Sequence, residues 1–177
     1  YTRASVPDRD ERICVIPQLG FNDGVLVLPF DVPSYEAEGP HPDVEYSVTV
    51  PEGAARLEVR TLANLHVYEG RGARYAVQID GKEPEVFDIH TADFSAEWRW
   101  NVLRGYSSRS IDISGLAAGS HKVRISLLDP GIVLQELCVW GGPDGSKNGF
   151  KCSRRGPGGL LYALKPLQKA VQRLGVG

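Results

Sequence analysis

The stretch HKVRISLLDPGIVLQELCVWGG, residues 121–142, decides the fold of this chain. In its first part, apolar Val123, Ile125 and Leu127 alternate with polar neighbours. Successive side chains of a β-strand point to opposite faces, so this alternation indicates a strand with one face in a core and the other in solvent. The sequence therefore predicts a half-buried β-strand here.

A break and a second kind of strand follow. Pro130 cannot donate a backbone hydrogen bond to a sheet, and Gly131 tolerates unusual backbone angles, so Asp129-Pro130-Gly131 predicts a bulge or a kink between strands. From Ile132 to Val139 the apolar residues are nearly continuous, which is typical of a central strand covered on both faces.

The alternating pattern recurs along the chain, with turn signals between the runs. Apolar positions of three further runs are Val44, Tyr46, Val48 and Val50; Leu57 and Val59; and Tyr75, Val77 and Ile79. Turn signals include Asn22-Asp23-Gly24, Pro51-Glu52-Gly53, Asp80-Gly81-Lys82 and Ala118-Gly119-Ser120. About eight or nine such strands, without a long helical period within residues 1–140, predict an all-β fold, an antiparallel β-sandwich of the jelly-roll type.

Length and composition suit one folded domain. The chain has 177 residues, of which 42% are hydrophobic and 24% charged, as in ordinary folded soluble proteins. Its formal charge of -2 is too balanced to draw it onto nucleic acid or an anionic membrane. No apolar run reaches the ~18 residues that span a bilayer, and the start carries no signal segment. Because the chain begins at Tyr1 and contains no methionine, we expect it to be a piece of a larger protein.

The three cysteines, Cys14, Cys138 and Cys152, are too few for a disulfide framework and lack metal-ligand spacing. If the first and last strands of the sandwich pair, Cys14 and Cys138 come close enough for a bridge. The alternative is that they are buried reduced thiols.

The composition changes beyond the last strand. Residues 1–142 are predicted as the sandwich, and residues 143–159, rich in glycine and basic residues, as a linker. Residues 160–177 are predicted as a short C-terminal amphipathic helix, because apolar residues recur at helical spacing at Leu160, Leu164, Leu167, Val171 and Leu174. Such a helix packs on its own domain or on a neighbouring chain, or lies on a membrane surface.

Catalytic and metal-binding motifs are absent from the sequence. No GxSxG elbow, HExxH, Walker loop or paired cysteine motif occurs. Acidic residues such as Glu45, Glu58 and Asp80 occupy polar alternates or turns, which predicts solvated carboxylates. The four histidines are scattered at loops and strand ends, at His41, His66, His90 and His121.

Several runs together resemble the C-terminal β-sandwich domain of glycoside hydrolase family 115, the xylan α-glucuronidases. They are Tyr1-Thr2-Arg3, Ile16-Pro17-Gln18-Leu19-Gly20, RYAVQIDGKEPEVFDI at residues 74–89, and DPGIVLQ at residues 129–135, followed by Gly141-Gly142. The resemblance covers roughly residues 1–142. It implies an accessory domain whose parent enzyme carries the catalytic acids elsewhere, so no catalytic residue is expected in this chain.

Two departures bear on ligands. Family members resemble carbohydrate-binding module families 6 and 35 in carrying an acidic strand before Tyr-Thr-Arg, which helps to hold a structural calcium, and this chain starts after that point. Gly105 also stands where the family has an asparagine. We therefore expect no cofactor and no metal site, with a structural calcium as the alternative that the resemblance leaves open.

Sugar recognition needs aromatic faces beside polar side chains. The densest such cluster lies between the strands near Val86 and Ile111 and contains Trp98, Arg99, Trp100, Asn101, Arg104 and Tyr106. A second group contains His66, Tyr68, Glu69 and Arg71. We expect Trp98 to face the core and Trp100 to be exposed, with arginines available to pair with a uronate carboxylate. The predicted ligand-binding residues are Trp100, Asn101, Arg104, Tyr106, Tyr68 and His66.

The leading interpretation is a non-catalytic accessory domain that binds plant cell-wall polysaccharide, such as glucuronoxylan, beside the catalytic domain of its parent enzyme. Such a role points to a secreted or periplasmic protein. The rival is a structural module that docks on a catalytic domain or forms a homodimer through its tail helix. A third interpretation, an independent hydrolase, requires two facing carboxylates in a cleft.

Overall fold

A computed structural model describes residues 8–21, 24–63, 70–141, 154–155 and 161–162. The described residues form two antiparallel sheets and one short helix. The predicted antiparallel β-sandwich is therefore confirmed.

The first sheet has five strands. In spatial order they are β1 (Asp8–Arg9), β4 (Asp43–Val50), β9 (Gly119–Leu127), β6 (Arg74–Ile79) and β7 (Glu85–Asp88). Strand β9 pairs with β4 over residues 119–126 on one side and with β6 over residues 123–127 on the other. It is the central strand of this sheet.

The second sheet has seven strands. Five follow the order β12 (Leu161–Tyr162), β11 (Arg154–Arg155), β10 (Val133–Gly141), β3 (Gly24–Val27) and β2 (Cys14–Pro17), while β5 (Ala54–Thr61) pairs with β10 and with β8 (Ser107–Asp112). Strand β3 meets β10 only at Val133 and Leu134, whereas β5 follows β10 from Leu134 to Gly141. Strand β10 is therefore central to this sheet.

The core lies between the two sheets and follows the alternation read from the sequence. The buried positions are Val44, Tyr46, Val48 and Val50 on β4, Val123, Ile125 and Leu127 on β9, Leu57 and Val59 on β5, and Leu137 and Val139 on β10. Burial of each such side chain contributes about 1.5–3 kcal/mol. Residues 132–139 are all buried, as predicted for a strand covered on both faces.

The Asp129-Pro130-Gly131 run carries the chain from β9 in one sheet to β10 in the other. Asp129 is fully buried and accepts hydrogen bonds from Arg74: Nε at 2.9 Å, Nη2 at 3.1 Å and the backbone N–H at 2.8 Å. Burial alone would raise the pKa of Asp129, but these bonds outweigh it, and the pKa is lowered. Gly131 has a left-handed φ of 80° and donates its N–H to Leu28 O. The predicted kink is thus a turn held by an ion pair between buried Asp129 and partly exposed Arg74.

Helix α1 (Ala96–Arg104) occupies an interval for which no helix was predicted. Ser95 caps its start by accepting a hydrogen bond from Trp98 N at 3.1 Å, and Gly105 ends it with a left-handed φ of 77°. Both caps are visible in the sequence. The apolar spacing that normally reveals a helix is missing because Asn101 is the buried residue of α1.

The predicted tail helix at residues 160–177 is mostly outside the described residues. Leu161 and Tyr162 are described, and they form a short strand rather than a helix. Their partners Arg154 and Arg155 lie within the predicted linker and continue the second sheet beyond β10. Among the described residues, no helix is long and apolar enough to cross a membrane.

No disulfide joins Cys14 and Cys138 in the structure, so the predicted bridge is not observed. Strand β3 lies between their strands β2 and β10. Cys138 is buried, as the alternative required, whereas Cys14 is exposed on the edge strand. Cys152 lies outside the described residues.

Candidate functional site

The outer face of the five-stranded sheet carries ion pairs between side chains that are in contact with solvent. Glu45 accepts from Lys122 Nζ at 2.8 Å and from Arg124 Nη2 at 3.3 Å, and these hydrogen bonds lower its pKa. The Lys122 and Arg124 side chains are 73% and 47% exposed. Exposed ion pairs contribute little to stability. Glu45 is therefore the solvated carboxylate that the sequence predicted.

The outer face of the seven-stranded sheet differs, because its charges are buried. Arg60 Nε lies 3.1 Å from Glu58 Oε1, and its Nη1 lies 2.6 Å from Glu136 Oε1. Trp140 Nε1 donates to Glu58 Oε2. Glu58, Arg60 and Glu136 are only 7%, 8% and 1% exposed. The prediction that Glu58 is solvated is wrong, since the rings and charges around it exclude water.

The ionisation of this cluster is fixed by its pairing. Burial raises the pKa of Glu58, but the hydrogen bonds from Arg60 and Trp140 outweigh that effect and leave it lowered. Burial lowers the pKa of Arg60, and the two carboxylates more than restore it. Glu58 and Arg60 therefore remain charged at neutral pH.

Guanidinium groups and aromatic rings alternate across this face. The Trp140 ring lies 5.5 Å from Arg56 Cζ and 5.8 Å from Arg60 Cζ, and the Tyr106 ring lies 4.4 Å from Arg60 Cζ and 4.5 Å from Arg104 Cζ. We call these five residues the arginine–aromatic row. Each cation–π contact contributes about 0.5–2 kcal/mol, depending on burial. The row joins strands β5 and β10 to the end of α1.

Helix α1 is held on the sheet by polar contacts. Asn101 is 2% exposed, and its Oδ1 accepts from Arg104 Nη2 at 2.7 Å. Arg104 Nε donates to Tyr106 O at 2.8 Å, and Gln135 Nε2 donates to Gly105 O at 2.9 Å. These bonds fix the helix end without using its apolar side chains.

The apolar side chains of α1 are instead exposed. Trp100 is 61% exposed, Val102 47% and Leu103 80%. Exposed apolar side chains on one short helix are candidates for contact with a ligand or a partner. The expected exposure of Trp100 is present in the structure.

The structure brings Asn101, Arg104 and Tyr106 together. Their side chains contact one another and neighbouring groups at the end of helix α1, so they support the helix. Asn101 is buried, Arg104 is bonded to two neighbours, and the Tyr106 ring lies against two guanidinium groups. The expectation that Trp98 faces the core is wrong. A turn of helix places it half-buried at the surface, 5.1 Å from the ring of Phe94, which is 74% exposed.

Of the second predicted group, His66, Tyr68 and Glu69 lie outside the described residues, whereas Arg71 is described and exposed. Among the histidines, His121 has a structural role: its Nδ1 lies 2.6 Å from Asp80 Oδ2 and its Nε2 lies 2.8 Å from Ala117 O. The hydrogen bond with Asp80 raises the pKa of His121. No group of three or more potential metal ligands occurs within the described part of the chain.

Sequence reasoning missed Arg60, Glu136 and Trp140. A signal for Glu136 existed, because it interrupts a run predicted to be covered on both faces, and a charge buried there requires a partner. Strand register then indicates Arg60, since β10 and β5 pair at Glu136 and Arg60. That register is not visible in one sequence.

Comparisons with known proteins agree with this architecture. Residues 2–151 match the family described as Glycosyl hydrolase family 115 C-terminal domain. Among solved structures, the chain is similar to BtGH115A, a family GH115 4-O-methyl-α-glucuronidase with specificity for decorated arabinogalactans, at 24% identity and a TM-score of 0.60. That similarity covers 79% of this chain and 17% of the BtGH115A chain.

The chain is also similar to a family 35 carbohydrate binding module from Clostridium thermocellum, at 15% identity and a TM-score of 0.50. This similarity covers 79% of the chain and 95% of the module. At these identities the likeness shows a shared fold. No curated protein matches the chain with significance.

Proposed function

The chain belongs to the family of glycosyl hydrolase family 115 C-terminal domains, and from this premise we propose that it is a non-catalytic domain that binds carbohydrate for its parent enzyme. The observation that carries the proposal is Trp100, an indole 61% exposed on a helix whose attachment leaves it free. A flat, rigid ring stacks on the apolar face of a sugar at low entropic cost. The bonds among Asn101, Arg104 and Tyr106 keep the helix in place while it does so.

The proposal that this domain is non-catalytic is supported by the ion pairing of its buried carboxylates. A glycosidase needs two carboxyl groups that face each other across a cleft open to substrate. On the outer face of the seven-stranded sheet, Glu58 and Glu136 instead share the guanidinium of Arg60. Neither is free to protonate or attack a glycosidic bond.

The proposed ligand is a plant cell-wall polysaccharide, with glucuronoxylan as the first candidate. The specificity of BtGH115A for decorated arabinogalactans supplies a second candidate. Both are built from sugar rings, which suit stacking on an exposed indole. Trp100 contributes the stacking contact, and the exposed side chain of Arg99 beside it is available to donate hydrogen bonds.

Calorimetric titration with glucuronoxylan and with arabinogalactan tests the proposal. Trp100→Ala is expected to reduce affinity at least about tenfold, because truncating a central aromatic anchor commonly costs ~2 kcal/mol or more. Leu103→Ala, on the same helix and more exposed, is the matched control and is expected to leave affinity unchanged. Equal affinity of Trp100→Ala and the unaltered chain for every glycan tested would remove the basis of the site.

A second candidate function is docking on the catalytic part of the parent enzyme or on another copy of the chain. The exposure of Val102 and Leu103 favours it, since neither side chain suits sugar stacking. Leu103→Glu would then disrupt the assembly seen by light scattering and leave glycan affinity intact. The glycan-binding proposal expects Leu103→Glu to have no effect on molecular mass.

A further inference from the structure

We propose that Phe94 and Trp98 form a second sugar-stacking subsite at the start of α1, on the flank of the helix opposite to Trp100. The ligand class is a pyranose ring of a glycan, which contacts the two side chains through its apolar face. This subsite rests on the carbohydrate binding proposed above and adds a separate contact to it. Phe94 was not among the predicted ligand-binding residues, and Trp98 was expected in the core.

The backbone of Phe94 is the first observation. Phe94 has a φ of 60°, in the left-handed region, which a bulky residue rarely adopts because its Cβ crowds the backbone. Such conformations cost folding free energy and persist where the surroundings enforce them, often at ligand sites. The Phe94 side chain is 74% exposed, so burial of its ring recovers little of that cost. Folding alone therefore gives a weak reason to hold this ring at the surface.

The turn before α1 positions the ring in advance. Ser95 donates its backbone N–H to Ala92 O at 3.1 Å, and its side chain accepts a hydrogen bond from Trp98 N at 3.1 Å. The Phe94 ring lies 5.1 Å from the half-buried Trp98 ring, with 55° between the ring planes. Because both rings are placed before a ligand arrives, little conformational entropy is lost when a sugar contacts them.

The ring pair and Trp100 lie on different flanks of the helix. Successive residues of an α-helix are about 100° apart around its axis, so Trp98 and Trp100 point in directions about 200° apart. Buried Asn101, on the attached side of the helix, lies between these two directions. One sugar ring therefore cannot contact both indoles, and a glycan has two separate places to stack.

The side chains next to the two rings suit a sugar better than a protein partner. Asp93 and Arg99 are exposed, and the Glu97 side chain is 57% exposed. Carboxylate oxygens accept hydrogen bonds from sugar hydroxyl groups, and guanidinium groups donate to them. The centre of a protein–protein interface is instead depleted in charged residues. Two rings with charged sequence neighbours thus match a glycan.

The first test uses the tryptophans as reporters. The chain has three, and each indole N–H gives one signal in a nitrogen–proton correlation spectrum, which Trp98→Phe and Trp100→Phe assign. The full chain is titrated with xylohexaose and with an oligosaccharide of equal length from arabinogalactan, and at least one of them is expected to shift the Trp98 signal. The Trp98 signal is expected to titrate equally in Trp100→Ala, because the two contacts are separate. Trp140, whose N–H donates to Glu58, is the internal reference.

The second test removes the ring and relieves the backbone together. Glycine adopts a positive φ without a clash, so Phe94→Gly is expected to keep or raise the urea midpoint. Its Trp98 titration is expected to weaken at least about tenfold, since an aromatic anchor is lost, while the Trp100 titration stays unchanged. Gln18→Gly is the matched control, because Gln18 is exposed and also has a φ of 60°. It is expected to leave both titrations unchanged.

The outcomes separate this subsite from the proposed function. If a sugar shifts the Trp100 signal while the Trp98 signal stays fixed, the subsite is overturned and carbohydrate binding stands. If Phe94→Gly lowers the urea midpoint or fails to fold, the ring has a structural role and the subsite is likewise overturned. A fall in molecular mass of Phe94→Gly, seen by light scattering without any effect on sugar titration, assigns the rings to a contact between chains. If neither oligosaccharide nor the two polysaccharides bind, both the subsite and the proposed function fail.

Discussion

Replacing Asp129 with asparagine tests how the turn between the two sheets is held. Asp129 is fully buried and accepts three hydrogen bonds from Arg74, two from the guanidinium and one from the backbone. Asparagine has nearly the same shape but carries no charge and turns an NH2 group toward those donors. Asp129→Asn therefore removes the attraction without opening a cavity.

The expected cost follows from the burial of the two partners. Breaking a fully buried ion pair costs about 3–5 kcal/mol, because the remaining charge is left without a partner. The Arg74 side chain is 32% exposed and recovers part of that cost from water. We expect a loss of about 2–3 kcal/mol, which corresponds to a fall in Tm of roughly 5–10 °C for a domain of this size.

The effect has a defined pH dependence. The pKa of Asp129 is below its ordinary value of 3.8 in the folded chain, so its contribution to stability is present above that value and is lost as pH falls through the folded-state pKa. The stability difference between Asp129→Asn and the unaltered chain is thus expected to be constant near neutral pH. It should shrink in acid.

Urea unfolding at several pH values measures this difference. Asp43→Asn is the matched control, since Asp43 is 36% exposed and lies 3.6 Å from Arg124 Nε, and its loss is expected to cost less than about 0.5 kcal/mol. If Asp129→Asn is as stable as Asp43→Asn, or if its deficit persists unchanged in acid, the ion pair does not hold the turn.

Three further predictions concern stability. Gly131→Ala is expected to lower the free energy of unfolding more than Gly81→Ala. Both positions have left-handed φ angles, which cost an alanine about 1–2 kcal/mol, but only at Gly131 would the new Cβ meet a ring, that of Phe30. Equal urea midpoints for the two variants would contradict this. The pKa of His121 is raised in the folded chain, so its contribution to stability is present below its ordinary pKa of 6.5 and is lost as pH rises through the folded value. His121→Gln should therefore be least stable, relative to the unaltered chain, in mild acid, and a pH-independent difference would refute a stabilising pair of His121 with Asp80. Trp98→Ala is expected to cost about 1 kcal/mol, the worth of a surface aromatic pair, and a loss above about 3 kcal/mol would show a core position instead.

The strands were predictable because their pattern depends on local geometry. Val44, Tyr46 and Val48 lie on one face of β4 whatever the partner strand is, so alternation alone places them in the core. The same rule assigned Glu58 to solvent. It failed there because alternation separates two faces of a strand but does not tell what covers the outer one.

The helix was harder to predict for a different reason. Periodicity finds a helix by its apolar face, and α1 exposes Trp100 and Leu103 while burying Asn101. The capping residues Ser95 and Gly105 were the usable signals. The support around Arg104 depends on Tyr106 meeting Arg60 from a distant strand, and that contact follows from tertiary structure alone.

The position of β9 and β10 at the centres of the two sheets has a consequence for synthesis. Strand β9 separates β4 from β6, and β10 joins β3 to β5, yet both come after those strands in the chain. A nascent polypeptide therefore displays unpaired strand edges until its last long strands leave the ribosome. Contacts that join such distant segments form slowly, and exposed edges in the interval invite aggregation. The interval before residues 119–141 emerge is thus the one in which edges of the nascent sandwich lack their partner strands.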